Sequence, residues 1–116
     1  MQKIIDILED KKARGIVSIK VEKLTILADY FVICHGTSTT HIRTLADDID
    51  KTLREAYGKE CRQKEGYNSA RWVLLDYGDV IVHIFHEEDR MFYDIERLWS
   101  DGIITYDGNK MDVSNP

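Results

Sequence analysis

Residues 72–99, WVLLDYGDVIVHIFHEEDRMFYDIERLW, constrain the fold more than any other part of the chain. Two apolar runs, 72–75 and 80–85, flank Asp76-Tyr77-Gly78-Asp79. Gly78-Asp79 suits a two-residue hairpin loop, because glycine supplies the positive φ that such a loop needs. The loop sets a register. Val73 then lies opposite Ile84, Leu75 opposite Val82 and Tyr77 opposite Val80, all on one side. Trp72 with Phe85, Leu74 with His83 and Asp76 with Ile81 fall on the other. The first face is the aliphatic one, as a helix-covered core face should be. The second mixes two aromatics with a carboxylate and an imidazole, a composition closer to a recognition surface than to a dry core. Glu87, Glu88 and Asp89 then open a helix, where negative charge favours the positive end of the dipole. Phe92, Ile95, Leu98 and Trp99 recur at helical spacing as its expected buried stripe, and Gly102 is a suitable stop.

Upstream, Ile4, Ile5, Leu8 and Ala13 give a rough apolar stripe, which predicts a helix over residues 1–14 that Gly15 ends. Residues 16–21 alternate as a half-buried strand. Residues 30–34 form a continuous apolar run, the mark of a strand buried on both faces. Gly36-Thr37-Ser38-Thr39-Thr40 supplies a turn and a helix N-cap. Ile42, Leu45, Ala46, Ile49, Leu53, Ala56 and Tyr57 form an unbroken helical stripe that Gly58 closes. Residues 61–64 suit a short strand, and residues 103–106 are expected to pack back on the domain. The order predicts a single α/β domain, residues 1–106, in which a mixed β-sheet is layered with helices, followed by a flexible C-terminal tail, residues 107–116.

With 116 residues the chain is one domain that hides roughly two-thirds of its unfolded surface. The N-terminal segment alternates acids and bases through its apolar positions, unlike a secretory signal or a transit peptide. No apolar run is long enough to span a membrane. A cytoplasmic location is therefore expected, with Cys34 and Cys61 as free thiols. Charge is unevenly placed. Residues 1–71 carry 13 Lys/Arg and 11 Asp/Glu, whereas residues 72–101 carry 2 and 8. An acidic hairpin-helix segment disfavours direct nucleic-acid contact, which needs Lys and Arg against phosphate. It suits a basic protein partner, or else is a solvated acidic face with no partner.

Three blocks carry a resemblance. They are Asp29-Tyr30-Phe31-Val32-Ile33-Cys34-His35-Gly36-Thr37-Ser38, then Trp72-Val73-Leu74-Leu75-Asp76-Tyr77-Gly78-Asp79 with His83-Ile84-Phe85, then Arg90-Met91-Phe92-Tyr93-Asp94-Ile95-Glu96-Arg97-Leu98-Trp99. In this order and spacing, from about residue 4 to about residue 101, the chain resembles the Iojap family, the ribosomal silencing factors. The resemblance implies an α/β fold of nucleotidyltransferase-like topology without the catalytic carboxylates. It implies no enzymatic activity and no cofactor. It also implies that the chain binds the large ribosomal subunit through ribosomal protein number fourteen, blocks subunit joining and represses translation when nutrients are scarce. Family members also form dimers, so a homodimer of the free chain is a further expectation, and a homodimeric adaptor with a non-ribosomal partner stands as an alternative reading beside a degenerate nucleotidyltransferase-like enzyme.

That topology raises the question of an enzyme. A nucleotidyltransferase holds its metal with two aspartates one residue apart on a strand, and no such pair occurs here. Asp76 and Asp79 are separated by the turn, and Asp47, Asp48 and Asp50 lie on the solvent side of a helix. His83 and His86, three apart on a strand, point to opposite faces and cannot converge on zinc. His35 and His41 flank the Gly36 turn without a carboxylate partner nearby in sequence. Taken with the resemblance, the expected partner-binding residues are Trp72, Leu74, Asp76, Tyr77, Asp79, His83, Phe85, Arg90 and Tyr93. Either the third helix covers Trp72 and Phe85, or these two anchor the partner. The resemblance favours the second reading.

Overall fold

The computed structural model describes residues 1–108. Along it run α1 (Gln2–Asp10), β1 (Arg14–Lys20), β2 (Tyr30–Gly36), α2 (Thr39–Tyr57), β3 (Gln63–Glu65), β4 (Trp72–Asp76), β5 (Val80–His86), α3 (Glu87–Tyr93), α4 (Ile95–Leu98) and β6 (Ile103–Asp107). The strands form one mixed sheet in the order β3-β4-β5-β2-β1-β6. β2 and β5 pair in parallel at its centre, and the other neighbours are antiparallel. The central strands read as continuous apolar runs because both of their faces are covered. None of the described helices is long and apolar enough to cross a membrane.

The hairpin has the expected register, with Trp72 opposite Phe85, Val73 opposite Ile84, Leu74 opposite His83 and Leu75 opposite Val82. Gly78 takes φ +89° while Asp79 does not adopt a positive φ. That is the pattern of a hairpin loop with glycine at its first central position. Tyr77 N–H donates to the Val80 carbonyl at 2.9 Å, and the Asp76 carboxylate accepts from Gly78 N–H at 2.8 Å. α2 is bounded as its sequence suggests. Ser38 Oγ accepts from His41 N–H, and Gly58 adopts a left-handed conformation (φ 63°) so that two carbonyls of the last turn are satisfied.

Two cores lie on the two faces of the sheet. α1 and α2 bury Ile5, Leu8, Ile42, Leu45 and Ile49 against Val32, Cys34, Val73, Leu75, Val82 and Ile84. The opposite face carries Ile19, Phe31, Ile33, Ile81 and Phe85 with the half-buried Trp72 and Leu74 beside them, and is covered mainly by Ile95 and the half-buried Trp99. The first face has α1 and the 19-residue α2 over it, the second only the 7-residue α3 and the 4-residue α4.

Several boundaries differ from the expectations. α1 ends at Asp10 rather than near residue 14, with Lys12 at φ 64°. Gly15 does not end a helix but sits inside β1, where the pairing with β2 slips, at φ +58°. Ala56 and Tyr57 lie beyond the buried stripe of α2 and are exposed. Residues 103–107 form a full sixth strand against β1, so Asp107 belongs to the sheet. The remainder of the expected tail, residues 109–116, lies outside the described residues.

The largest departure is in the third helix. It stops at Tyr93 because Asp94 adopts a left-handed conformation (φ 44°), and the chain resumes as the single turn α4. The break rotates the expected stripe apart. Ile95 is buried and Trp99 half-buried, but Phe92 and Leu98 are 81% and 75% exposed.

Candidate functional site

The thinly covered face of the sheet carries a connected set of rings. Trp72 on β4 stacks on Phe85 of β5 at 4.8 Å between centroids and 28° between planes. Tyr93, at the end of α3, lies 4.9 Å from Trp72 and 6.2 Å from Phe85. Phe92 meets Tyr93 edge-on at 5.2 Å and carries the series out to solvent. Inward, Trp72 donates its indole N–H to His83 Nδ1 at 3.2 Å. His83 meets Phe31 edge-on at 4.9 Å, and Phe31 meets Trp99 edge-on at 5.0 Å. Offset and edge-to-face pairs of this kind add to the energy of burial, by about 0.5–1.5 kcal/mol each when well packed.

A buried arginine holds the helical cover in place. Arg90 forms a two-pronged ion pair with Glu96, Nε to Oε1 at 3.0 Å and Nη2 to Oε2 at 3.1 Å, which ties α3 to α4 across the Asp94 break. Its Nη1 lies 2.8 Å from His35 Nδ1 on β2. Burial, and then the Arg90 charge, hold the His35 pKa below its ordinary value, so His35 is a neutral acceptor for the guanidinium. Gly15 leaves the room: a Cβ there would collide with Arg90 Nη1. Arg71 acts at the other end of α3. Its Nε reaches Asp89 at 2.8 Å and its Nη2 reaches Glu88 at 3.1 Å, which fastens α3 to the start of β4.

The nine expected site residues therefore separate. Asp79 and Tyr93 are exposed, and Trp72, Leu74 and Asp76 are partly so. Phe85 is fully buried, and Tyr77, His83 and Arg90 are nearly so, at 4%, 6% and 8% exposed. For these four the expectation of direct contact is corrected. The helical cover lies over Phe85, and Tyr77 faces the α2 side, where its hydroxyl lies near the Asp50 carboxylate and burial raises its pKa. Asp79 is paired with Lys59 at 3.1 Å, which lowers its pKa. By contrast, Glu87 and Asp94 are exposed and have no ion-pair partner among the described residues. Beside them stand Met91 (87% exposed), Phe92 and Leu98, which the sequence reading placed in a core or did not single out. A signal was present. Met91, Phe92 and Tyr93 are three successive large apolar residues, and three successive helical positions span too wide an arc to be buried together.

The remaining polar groups are used locally. Thr37 N–H donates to His41 Nδ1, and the other ring nitrogen of His41 lies 2.9 Å from the Lys11 carbonyl, so the Gly36 turn is closed on itself. The buried Cys34 thiol is pushed up to about 12 by desolvation. Among the described residues no three His, Cys, Asp or Glu side chains gather as a metal would require.

Comparison with known proteins agrees with the resemblance. A sequence model of the family described as "Ribosomal silencing factor during starvation" matches residues 1–115. The chain is 41% identical over 101 residues to the ribosomal silencing factor RsfS of Halalkalibacterium halodurans, covering 87% of this chain and 86% of that protein. A more distant relative is the mouse mitochondrial assembly of ribosomal large subunit protein 1, 30% identical over 84% of this chain but 43% of its own length. A crystal structure of a Chromobacterium violaceum protein superposes with a TM-score of 0.81 at 38% identity, over 86% of each chain. With the family match spanning nearly every residue and the fold shared by a solved relative, the chain belongs to the ribosomal silencing factor family.

Proposed function

We propose that the chain acts by binding the large ribosomal subunit through ribosomal protein number fourteen, so that the bound factor occupies space the small subunit needs. Silencing of this kind requires no chemistry, only affinity and volume. The observation that carries the reading, beyond family membership, is the run of ring contacts from half-buried Trp72 through exposed Tyr93 to exposed Phe92, with Met91 on α3 and Leu98 on α4 also exposed. An apolar, aromatic patch rimmed by charge is what a protein partner covers, since aromatic anchors dominate interface energies. The unpaired carboxylates of Glu87 and Asp94 suit a basic partner and disfavour RNA phosphate. The direct contacts are then Trp72, Leu74, Asp76, Asp79 and Tyr93 with Met91, Phe92 and Leu98. Phe85, His83, Tyr77 and Arg90 support them from beneath or from the core. The name of the mouse relative, which refers to the large subunit, supports the choice of subunit. In the free chain the same patch is available to a second copy.

The test is sedimentation in a sucrose gradient with purified subunits and no nucleotide. The factor should travel with free large subunits and lower the yield of joined ribosomes. Joining that is unchanged at saturating factor would remove the proposal.

A further inference from the structure

We infer that His83 is a positioning residue for Trp72: by accepting the indole N–H on Nδ1 it holds the indole in the one orientation that the ribosomal partner meets. The inference rests on the ribosomal reading above and deepens it. Trp72 and His83 are diagonal neighbours on β4 and β5, since Trp72 faces Phe85 and Leu74 faces His83. Long side chains at such positions reach one another. An indole nitrogen only donates, so the Nδ1 atom 3.2 Å away must be unprotonated, and the neutral ring carries its proton on Nε2. That Nε2 is buried with no hydrogen-bond partner among the described residues.

The combination is informative. At 6% exposure His83 has almost no surface of its own to offer a partner. An apolar side chain at this position would leave no buried nitrogen unpaired. Desolvation alone pushes the His83 pKa down to about 4, so the ring is the neutral acceptor at physiological pH. Its one side-chain hydrogen bond goes to Trp72. The stack on Phe85 and the contact with Tyr93 fix the plane of the indole, but a half-turn about the Cβ–Cγ bond keeps that plane and exchanges the two edges of the ring. The N–H to Nδ1 bond removes that freedom and leaves one edge of the indole facing outward.

The experiment uses the full chain, with two variants, and reads the Trp72 indole N–H resonance, its exchange with solvent, and the affinity for purified large subunits. His83→Phe keeps an aromatic ring at the position, somewhat larger than imidazole, and removes the acceptor. His83→Asn returns an acceptor oxygen at the place of Nδ1. In His83→Phe the Trp72 indole proton should move upfield and exchange faster, and subunit affinity should fall roughly five-fold, the worth of one hydrogen bond. His83→Asn should recover both. An unchanged indole resonance in His83→Phe, or a recovered resonance in His83→Asn without recovered affinity, overturns the inference. If the wild-type chain does not bind subunits at all, the ribosomal reading falls. The indole resonance then decides by itself whether His83 orients Trp72.

Discussion

Replacing Phe92 with alanine separates binding from folding at the candidate surface. Phe92 is 81% exposed, so folding takes only about a fifth of its area out of water. Full burial of such a side chain contributes about 1.5–3 kcal/mol, which leaves roughly 0.5 kcal/mol here. The edge-on contact with Tyr93 adds a few tenths of a kcal/mol at an exposed site, below the roughly 0.5–1.5 kcal/mol of a packed pair. Alanine is the better helix former by roughly 0.5 kcal/mol, which offsets most of the loss. The net change in stability should stay below about 1 kcal/mol, a shift in Tm of a few degrees for a domain of this size. If the ring is an anchor for the partner, its loss should weaken subunit binding by about 2 kcal/mol, near thirty-fold. Phe85→Ala is the contrast. That ring is fully buried, and its loss should cost about 3–5 kcal/mol of stability. Thermal melts and sedimentation titrations on both variants supply the four numbers. A Phe92→Ala chain that melts like Phe85→Ala would show that α3 packs elsewhere. One that binds subunits as tightly as wild type would show that the partner does not use this surface.

Arg90→Ala should destabilise the domain by about 3 kcal/mol, measured by urea unfolding, because it leaves Glu96 partly buried without its cation; a loss below about 1 kcal/mol would mean the pair does not hold α4. His83 makes stability depend on pH with a defined sign: its folded pKa of about 4 lies below the unfolded value of 6.5, so the unfolded chain takes up the proton first as pH falls. Its contribution is complete above pH 6.5 and is lost between there and pH 4, about 2 kcal/mol between pH 7 and pH 5, and the His83→Phe chain should show a correspondingly flatter profile over that range. Raising ionic strength should slow association with the large subunit, since the steering charges of Glu87 and Asp94 are exposed and screened within about 8 Å; an on-rate indifferent to salt would remove the electrostatic part of the reading.

Local rules settled much of the architecture in advance. The hairpin register follows from two apolar runs and one glycine at the turn, because a period of two allows no other assignment of inner and outer faces. The bounds of α2 follow from Ser38 and Gly58, whose capping chemistry is complete within a few residues. The family blocks are likewise a property of the sequence. What only the tertiary structure decided is where apolar residues end up when more than one helix direction is open. Asp94 takes a left-handed conformation, and Arg90 fastens the next turn through Glu96 and reaches His35 on β2 beside Gly15, partners 6, 55 and 75 residues away. No window of sequence shows that arrangement, and it is this break that turns Phe92 and Leu98 outward while Ile95 goes inward. The same holds for the mixed face of the hairpin. The pattern states that Trp72, His83 and Phe85 share a side, but burial depends on how far a short helical cover extends across the sheet. It reaches Phe85 through Tyr93 and leaves Trp72 half-buried, while His83 is buried against Phe31 and Trp72, so that one indole, hydrogen-bonded from below, lies at the edge of the exposed surface.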